Sequence, residues 1–164
     1  MQWRLSYRAD ALGAALADRH YSRQQVGARQ FVPPGACLVL LAPGALWVTT
    51  WPRAEYVQHA WAGAWLCSIF RNEGATLSSV LIREAIAATR WRWPAVPALG
   101  MVSFVNPAAV RHKRDPGRCF RRAGFRVAGT TKERGFIALQ LLESEMPPAE
   151  APLEARRALP WDAV

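Results

Sequence analysis

The stretch from Trp65 to Arg92, WLCSIFRNEGATLSSVLIREAIAATRWR, constrains the fold more than any other part of the sequence. It begins with WLCSIF, an almost wholly apolar run of aromatic and β-favouring residues that is typical of a buried central strand. The polar loop RNEGATL follows, and then a helix whose apolar residues recur at helical spacing, with Ser78 as its predicted N-cap. The pattern therefore predicts a strand, a loop and a helix, with residues 65–70 inside a sheet.

The start of this helix is suited to an anion. The first N–H groups of a helix have no partner within the helix, and the helix dipole adds positive potential at the same place. Arg71 follows the strand directly and adds a cation. The turn could therefore hold an anion such as a cofactor pyrophosphate. The alternative is an ordinary strand-to-helix turn with a solvated arginine.

Size and composition indicate one soluble domain. A chain of 164 residues with 51% hydrophobic residues can bury a real core. No apolar run reaches the roughly 20 residues that span a bilayer, and the N-terminus has no signal-peptide pattern, so we expect no membrane partner. The cysteines Cys37, Cys67 and Cys119 are far apart and without CxxC spacing, which predicts reduced structural thiols in a cytoplasmic protein.

The charge of the chain is strongly positive. The formal net charge is +9, and acids outnumber bases from Glu143 onward, so the body that precedes Glu143 is more basic still. A body of this charge predicts a polyanionic partner, and nucleic acid is the first candidate. The alternative is that the charge only keeps the protein soluble.

Apolar runs and turn signals predict the order β α β β β α β α β β. We expect strands at 2–8, 37–42, 45–51, 65–70, 100–105, 125–130 and 136–142, and helices at 10–19, 78–93 and 116–123. Strands that alternate with helices in the second half imply partly parallel pairing, which predicts an α/β protein with a mixed sheet. One domain would span 1–143, and the Pro- and Ala-rich segment 144–164 would form a weakly packed tail.

The most basic segment is VRHKRDPGRCFRRAGFR, residues 110–126. Its cations could neutralise DNA phosphates and release counterions. With Arg23, the predicted DNA contacts are Arg111, Lys113, Arg114, Arg118, Arg121 and Arg122. The alternative is a solvated basic face.

The element order resembles the GNAT acyltransferase fold, in which an acyl-CoA pyrophosphate lies on the loop between a central strand and the next helix. The family's loop motif begins with Gln or Arg, has Gly three residues later and a small residue two residues after that. Arg71 and Gly74 fit this motif, and Thr76 stands where the family has Gly or Ala. The resemblance implies an acyl-CoA site at Arg71, Asn72, Gly74, Ser78 and Ser79.

Further motifs resemble the Mom family of phage DNA-modification proteins, a divergent GNAT branch. They are His20-Tyr21-Ser22-Arg23, the segment 102–107, and the aromatic-x-x-Ala-Gly turn at 120–124, and the resemblance covers residues 18–130. It implies a transferase that modifies the exocyclic amino group of adenine in double-stranded phage DNA and so defeats restriction, in the cytoplasm of an infected bacterial host. The family has Asp where this chain has Asn106.

Adenine N6 lies inside the duplex stack, so such an enzyme must extrude the base and hold it by stacking and edge hydrogen bonds. An aromatic amine is a poor nucleophile, and His20, with an ordinary pKa near neutrality, is the best candidate for a proton acceptor. His20 could instead only close the first helix. The predicted catalytic residues are His20, Tyr21, Glu73 and Asn106. A metal held by His20, Tyr21 and Glu73 is an open alternative, while Trp47 is expected in the core.

Three functions compete at this point. The first is DNA modification of the Mom type, and the second is a non-catalytic nucleic-acid-binding protein on a GNAT scaffold. The third is a small-molecule or protein N-acyltransferase. We also predict that His20 and Tyr21 line one cleft with Arg71, Glu73 and Ser79, because the first helix ends near the place where GNAT sheets open.

Overall fold

The computed structural model describes residues 1–110 and 115–155. Its strands are β1 (Arg4–Ser6), β2 (Cys37–Ala42), β3 (Ala45–Thr50), β4 (Trp65–Asn72), β5 (Met101–Val105), β6 (Arg126–Thr130) and β7 (Ile137–Leu141). Its α-helices are α1 (Ala11–Ala17), α2 (Ser78–Arg92) and α3 (Arg118–Arg122), and short 3-10 turns occupy Ala54–Tyr56 and Glu143–Glu145. The predicted order of elements is confirmed.

The seven strands form one mixed sheet in the order β1-β2-β3-β4-β5-β7-β6. Only β4 and β5 are parallel, and every other neighbouring pair is antiparallel. The predicted α/β class with a mixed sheet is therefore confirmed. Strand β4 lies between β3 and β5, which confirms that residues 65–70 are inside the sheet.

The parallel pairing of β4 with β5 is short. It joins Trp65–Cys67 to Met101–Ser103 and then stops. Beyond that point β4 continues to Asn72 alongside β3, and β5 continues to Val105 alongside β7. The two central strands therefore separate at their carboxyl ends and open the sheet there.

The core lies on both faces of the sheet. Alternate residues of β2 face opposite sides, with Leu38 and Leu40 in one buried cluster and Val39 and Leu41 in the other. The first cluster contains the buried face of α2 and three fully buried tryptophans, Trp3, Trp47 and Trp65. Helix α1 packs in the second cluster with Phe31 and Val32. The prediction that Trp47 belongs to the core is confirmed.

The two long helices start differently. The Asp10 side chain accepts hydrogen bonds from Leu12 N–H and Gly13 N–H and caps α1, as predicted. At α2, however, Ser78 is the first helical residue, and Leu77 before it is exposed and provides no side-chain cap. The prediction that Ser78 is the N-cap was wrong, because the Asn72 amide donates to the Ser78 hydroxyl and holds it beside the loop.

Part of the predicted tail packs on the body. Met146 is buried in the core cluster, Glu150 N–H donates to the Ala87 carbonyl, and Leu153 N–H donates to the Trp3 carbonyl. The Arg90 guanidinium also donates to the Pro147 carbonyl. Residues 144–155 are thus more firmly attached than predicted, and the remainder of the tail lies outside the described residues. The domain boundary at 143 stays a prediction.

The loop between β4 and α2 rests on the β2–β3 turn. Glu73 N–H donates to the Gly44 carbonyl, and Gly44 itself has a φ of +69° that favours glycine. A Cβ on Gly74 would collide with the Pro43 carbonyl oxygen. Gly74 is therefore required because two backbone segments approach each other closely.

Replacing Gly74 with Ala should shift this loop away from the β2–β3 turn, since a backbone carbonyl cannot yield as a flexible side chain can. We expect the free energy of unfolding to fall by about 1–3 kcal/mol, the range typical of overpacking. Urea denaturation of Gly74→Ala measures the loss. Ala75→Ser, a change at the exposed neighbouring position, is the control and should stay within about 0.5 kcal/mol of the parent. Equal stability of the two variants would contradict the close approach.

Candidate active site at the opening of the sheet

The separation of β4 and β5 creates a cavity of about 350 Å³, called here the first cavity. It is bounded by the end of β4 and the start of α2 on one side and by β5 and α3 on the other. Its lining residues are Arg19, His20, Tyr21, Cys67, Ser68, Phe70, Arg71, Asn72, Ser78, Ser103, Phe104, Val105, Ala109, Val110, Gly117, Cys119 and Phe120. The start of α2 thus opens into a cavity rather than directly into solvent.

A second cavity of about 550 Å³ adjoins the first. The loop after α1 supplies most of its wall, and Phe136 contributes from the other side. The two cavities share five lining residues, which are His20, Tyr21, Cys67, Ser68 and Phe104. The shared residues come from the start of the loop after α1 and from the two strands that separate, so the cavities meet where the sheet opens.

Tyr21 lies at the junction of the cavities. Its hydroxyl donates a hydrogen bond to the Phe104 carbonyl at 2.9 Å, and the Asn106 backbone N–H also bonds to it. Burial raises the pKa of Tyr21 above its ordinary value, and the bond from Asn106 only partly opposes this effect. The hydroxyl is therefore protonated at neutral pH and can serve as a proton donor.

His20 stacks on the Tyr21 ring with 4.3 Å between the ring centroids. Its Nδ1 accepts the Ser22 N–H at 3.2 Å and lies 2.7 Å from the Ser22 hydroxyl, so the proton of the neutral ring is on Nε2. Desolvation first, and the Arg71 charge second, lower the pKa of His20 to about 4. The ring is thus neutral at physiological pH, but it is a weaker base than predicted.

Glu73 does not line either cavity. Its carboxylate accepts two hydrogen bonds from Arg19, at 2.7 and 2.8 Å, and one from Arg71 at 2.6 Å. These bonds, those from Arg19 first, lower the pKa of Glu73 to about 2. A carboxylate that is held ionised by two guanidinium groups is a poor proton acceptor, so the geometry does not fit the predicted catalytic role.

The same ion cluster has a structural consequence. The Arg71 guanidinium also donates to the Arg19 carbonyl, at the end of the α1 segment. Glu73, Arg19 and Arg71 therefore tie the residues that precede His20 to the loop that precedes α2. This tie sets the position of His20 and Tyr21 relative to the first cavity.

The Asn106 side chain is not in a position to act on a substrate in the first cavity. Its Oδ1 accepts hydrogen bonds from Ala108 N–H at 3.0 Å and Ala109 N–H at 3.3 Å and closes the turn after β5. Asn and Asp can both fill this acceptor role, so the departure from the family's Asp changes no contact seen here. What Asn106 gives to the site is its backbone N–H, which bonds to Tyr21.

The predicted cofactor residues divide into two groups. Arg71, Asn72 and Ser78 line the first cavity, whereas Gly74 and Ser79 do not. Asn72 organises the loop, because its amide donates to the Thr76 carbonyl at 2.8 Å and its Oδ1 accepts from Gly74 N–H at 3.0 Å. Gly74 acts through its close approach to Pro43, and Ser79 belongs to the first turn of α2.

The predicted DNA contacts differ in whether their side chains are exposed. The prediction that Arg23 contacts DNA is wrong. Its side chain is only 8% exposed and is bonded to Asp18, to the Ala28 carbonyl and to the Gln30 carbonyl, so it cannot reach phosphate. On α3, Arg118 and Arg122 are exposed, and Arg121 pairs with Asp115. The predicted contacts Arg111, Lys113 and Arg114 lie outside the described residues.

Within 1–110 and 115–155, no group of three or more His, Cys, Asp or Glu side chains is placed to hold a metal ion. Glu73, the carboxylate expected to join His20 and Tyr21, is bonded to arginines instead. The same described residues include no helix long and apolar enough to cross a membrane.

Sequence reasoning missed several residues of the site. Phe104 supplies the carbonyl that Tyr21 contacts, and Ser68, Ser103 and Cys119 line the first cavity. The motif at 102–107 drew attention to Ser103 and Phe104, but it could not show which backbone atom Tyr21 would meet. That contact depends on where the β4–β5 pairing ends.

Two solved structures are similar to this chain. The first, the aminoglycoside acetyltransferase AAC(6')-Ib in complex with coenzyme A, has a TM-score of 0.59 and 18% identity, covering 88% of this chain and 95% of the other. The second, AAC(6')-Ib with ribostamycin and coenzyme A, has a TM-score of 0.62 and 16% identity, covering 88% and 94%. The chain has the GNAT acyltransferase fold. No protein-family model and no curated protein sequence matches it.

The ionisation of His20 gives a direct test of this site. We expect the imidazole signals of His20 in an NMR titration to move with a midpoint near pH 4, because burial and Arg71 disfavour the charged ring. The unfolded chain takes up this proton near pH 6.5, so the free energy of unfolding should fall as the pH drops from about 6.5 to 4. His20→Gln should weaken that dependence. A midpoint near 6.5 would show a solvated ring and contradict the geometry.

Proposed function

We propose that this protein is an acyl-CoA-dependent N-acyltransferase that modifies the exocyclic amino group of adenine in DNA. The observation that carries the proposal is the meeting of two cavities at Tyr21, where the central strands of a GNAT fold separate. One cavity has the features of a donor site, and the other has the features of an acceptor site.

The first cavity fits an acyl-CoA. The N–H groups of Ser78 and Ser79 are in the first turn of α2 and have no intrahelical partner, and no side chain caps the helix. Arg71 adds positive charge to the same cavity. The edges of β4 and β5 that face each other have no strand pairing beyond Cys67 and Ser103, which leaves backbone groups for the amides of a ligand. An acyl-CoA bound there would supply a thioester carbonyl as electrophile and a thiolate as leaving group.

Tyr21 would supply the proton that a departing thiolate needs. Its hydroxyl is at the junction of the cavities, and its raised pKa keeps it protonated at neutral pH, ready to donate. The bonds to the Phe104 carbonyl and the Asn106 N–H fix the hydroxyl at the end of β5. His20 stacks on the ring and restricts its rotation.

The acid–base properties of the site favour an aromatic amine as acceptor. An aliphatic amine is an ammonium ion at neutral pH and must lose a proton before it can attack. Among the described lining residues of both cavities there is no Asp or Glu, and the one histidine there, His20, has a pKa of about 4. The amino group of adenine is already neutral, so it can attack the thioester without first losing a proton. The proton that it loses on acylation would then replace the one that Tyr21 gives to the departing thiolate.

The lining of the second cavity also suits a nucleobase. Gln24, Gln25 and Gln30 offer amide groups to a base edge, and Tyr21, Phe104 and Phe136 offer aromatic surfaces. A basic chain with a formal charge of +9 attracts DNA. The exposed side chains of Arg118 and Arg122, on the helix that borders the first cavity, are available to phosphates.

The second candidate is a small-molecule N-acyltransferase. It is favoured by the similar solved structures, which are described as aminoglycoside acetyltransferases bound to coenzyme A. An aminoglycoside is a polycation, and acidic side chains would be expected around its site. The described lining of the second cavity has none, which is why we place DNA first.

Mass analysis of nucleosides tests the proposal. Plasmid DNA from cells that express the protein should contain a deoxyadenosine derivative of increased mass, released by enzymatic digestion. Tyr21→Phe should reduce its amount by about 10² to 10⁴-fold, the usual contribution of a positioned proton donor. Tyr56→Phe, at an exposed tyrosine that lines neither cavity, is the matched control and should leave the yield unchanged.

Two outcomes would count against the proposal. If wild-type protein leaves every nucleoside unmodified while the purified protein acylates an aminoglycoside from acetyl-CoA, the small-molecule function replaces the DNA function. If neither reaction occurs and DNA is bound tightly, the protein is a nucleic-acid-binding protein on a GNAT scaffold.

A further inference from the structure

An exposed apolar turn stands beside the second cavity. The Ala28 N–H donates to the Gln25 carbonyl at 3.2 Å, and Gly27 has a φ of +84°, so residues 25–28 form a type II turn with Val26 and Gly27 at its tip. Val26 is 72% exposed, the second-highest exposure among the large hydrophobic residues of the described chain. A β-branched side chain at this place is stiff, because its χ1 angle is restricted.

The turn is held from beneath by a compact hydrogen-bond network. The buried Arg23 guanidinium donates to Asp18 at 2.8 Å, to the Gln30 carbonyl at 3.1 Å and to the Ala28 carbonyl. The other oxygen of Asp18 accepts the Gly27 N–H at 3.2 Å. The loop between α1 and β2 is therefore fastened to the end of α1 at several points, and the position of Val26 is fixed with it.

The turn borders the cavity without entering it. Gln24, Gln25 and Gln30 line the second cavity, whereas Val26 and Gly27 do not. The apolar tip is therefore next in sequence to residues of the cavity wall and does not line the cavity itself. Arg29, also exposed, adds a cation to the same loop.

We propose that Val26 is a wedge that enters the DNA stack when adenine is extruded into the second cavity. The inference rests on the proposed DNA function and adds how the base is taken out of the duplex. Extrusion leaves a gap in the stack and costs a few kcal/mol, and a stiff apolar side chain inserted at the gap offsets part of this cost.

The fastening of the loop is what makes Val26 suitable for this task. A side chain that is pushed into a base stack experiences an opposing force, and a loosely held loop would fold back. The ion pair of Arg23 with Asp18 and the bond from Gly27 resist that movement. This explains why the arginine of the HYSR motif is turned inward, where it supports the turn instead of contacting phosphate.

Permanganate oxidation of thymine tests the wedge without requiring knowledge of the transferred group. A thymine whose adenine has been extruded is unstacked and reacts faster, so wild-type protein should increase thymine reactivity in a mixed-sequence duplex. Val26→Ala should reduce that increase about tenfold, which corresponds to about 1.4 kcal/mol of lost stabilisation. Val26→Leu should retain it. Val127→Ala, at an exposed valine of β6 that lines neither cavity, should also retain it.

Binding to single-stranded oligonucleotides of the same composition separates a wedge from a general DNA contact. A wedge has no task in unpaired DNA, so Val26→Ala should bind single strands within about twofold of wild type. Equal losses on single and double strands, or no loss of thymine reactivity, would overturn the wedge. Wild-type protein that unstacks thymines in vitro but yields no modified adenine in cells would leave the wedge standing and remove the proposed reaction.

Discussion

The short parallel pairing of β4 with β5 is the constraint on which the rest of the site depends. Because only Trp65–Cys67 and Met101–Ser103 are joined, the strands separate while each is still held by its outer neighbour. The separation creates the first cavity, lets the second cavity join it, and leaves backbone edges without strand partners. It also frees the Phe104 carbonyl to receive Tyr21, a contact that full pairing to β4 would hinder. Had the pairing continued to the strand ends, the sheet would be closed at this place.

A second interaction places the loop after α1 over that opening. Glu73 binds Arg19 and Arg71 together, and the resulting cluster joins the end of the α1 segment to the start of α2. The Glu73 carboxylate thus contributes to the site by holding the loop after α1 in position. Its lowered pKa of about 2 shows that it stays charged through the whole physiological range, so the tie does not depend on pH there. The arginines that hold it also leave positive charge beside the first cavity, where an anionic donor would bind.

The fold could be predicted largely from sequence because its signals are local. The apolar run at 65–70, the cap at Asp10 and the turn at Pro43-Gly44 depend on neighbouring residues, and the structure has the expected elements there. The alternation of strands and helices indicated the fold class, and the order of elements resembled the GNAT fold, with the loop at Arg71 and Gly74 as a partial match to that family's motif. The roles of single side chains were harder to predict. Arg23, Glu73 and Asn106 were each assigned a functional contact, but all three bond to the protein's own backbone and charges. The partners of Arg23 and Asn106 are close in sequence, in the loop after α1 and in the turn after β5. The Arg19 partner of Glu73 is distant in sequence, so no spacing shows it. The burial of His20 likewise depends on packing, which its sequence neighbours do not reveal.

The proposed reaction requires that an acyl-CoA binds where the sheet opens, with its phosphates at the start of α2. The most direct measurement is a titration of ¹⁵N-labelled protein with acetyl-CoA, followed by amide chemical shifts. Binding should move the signals of Ser78 and Ser79 most, together with those of Arg71 and its neighbours along β4. Shifts confined to the opposite end of α2, such as Arg90 and its ion-pair partner Glu143, would contradict the claim, as would the absence of any shift at millimolar acetyl-CoA.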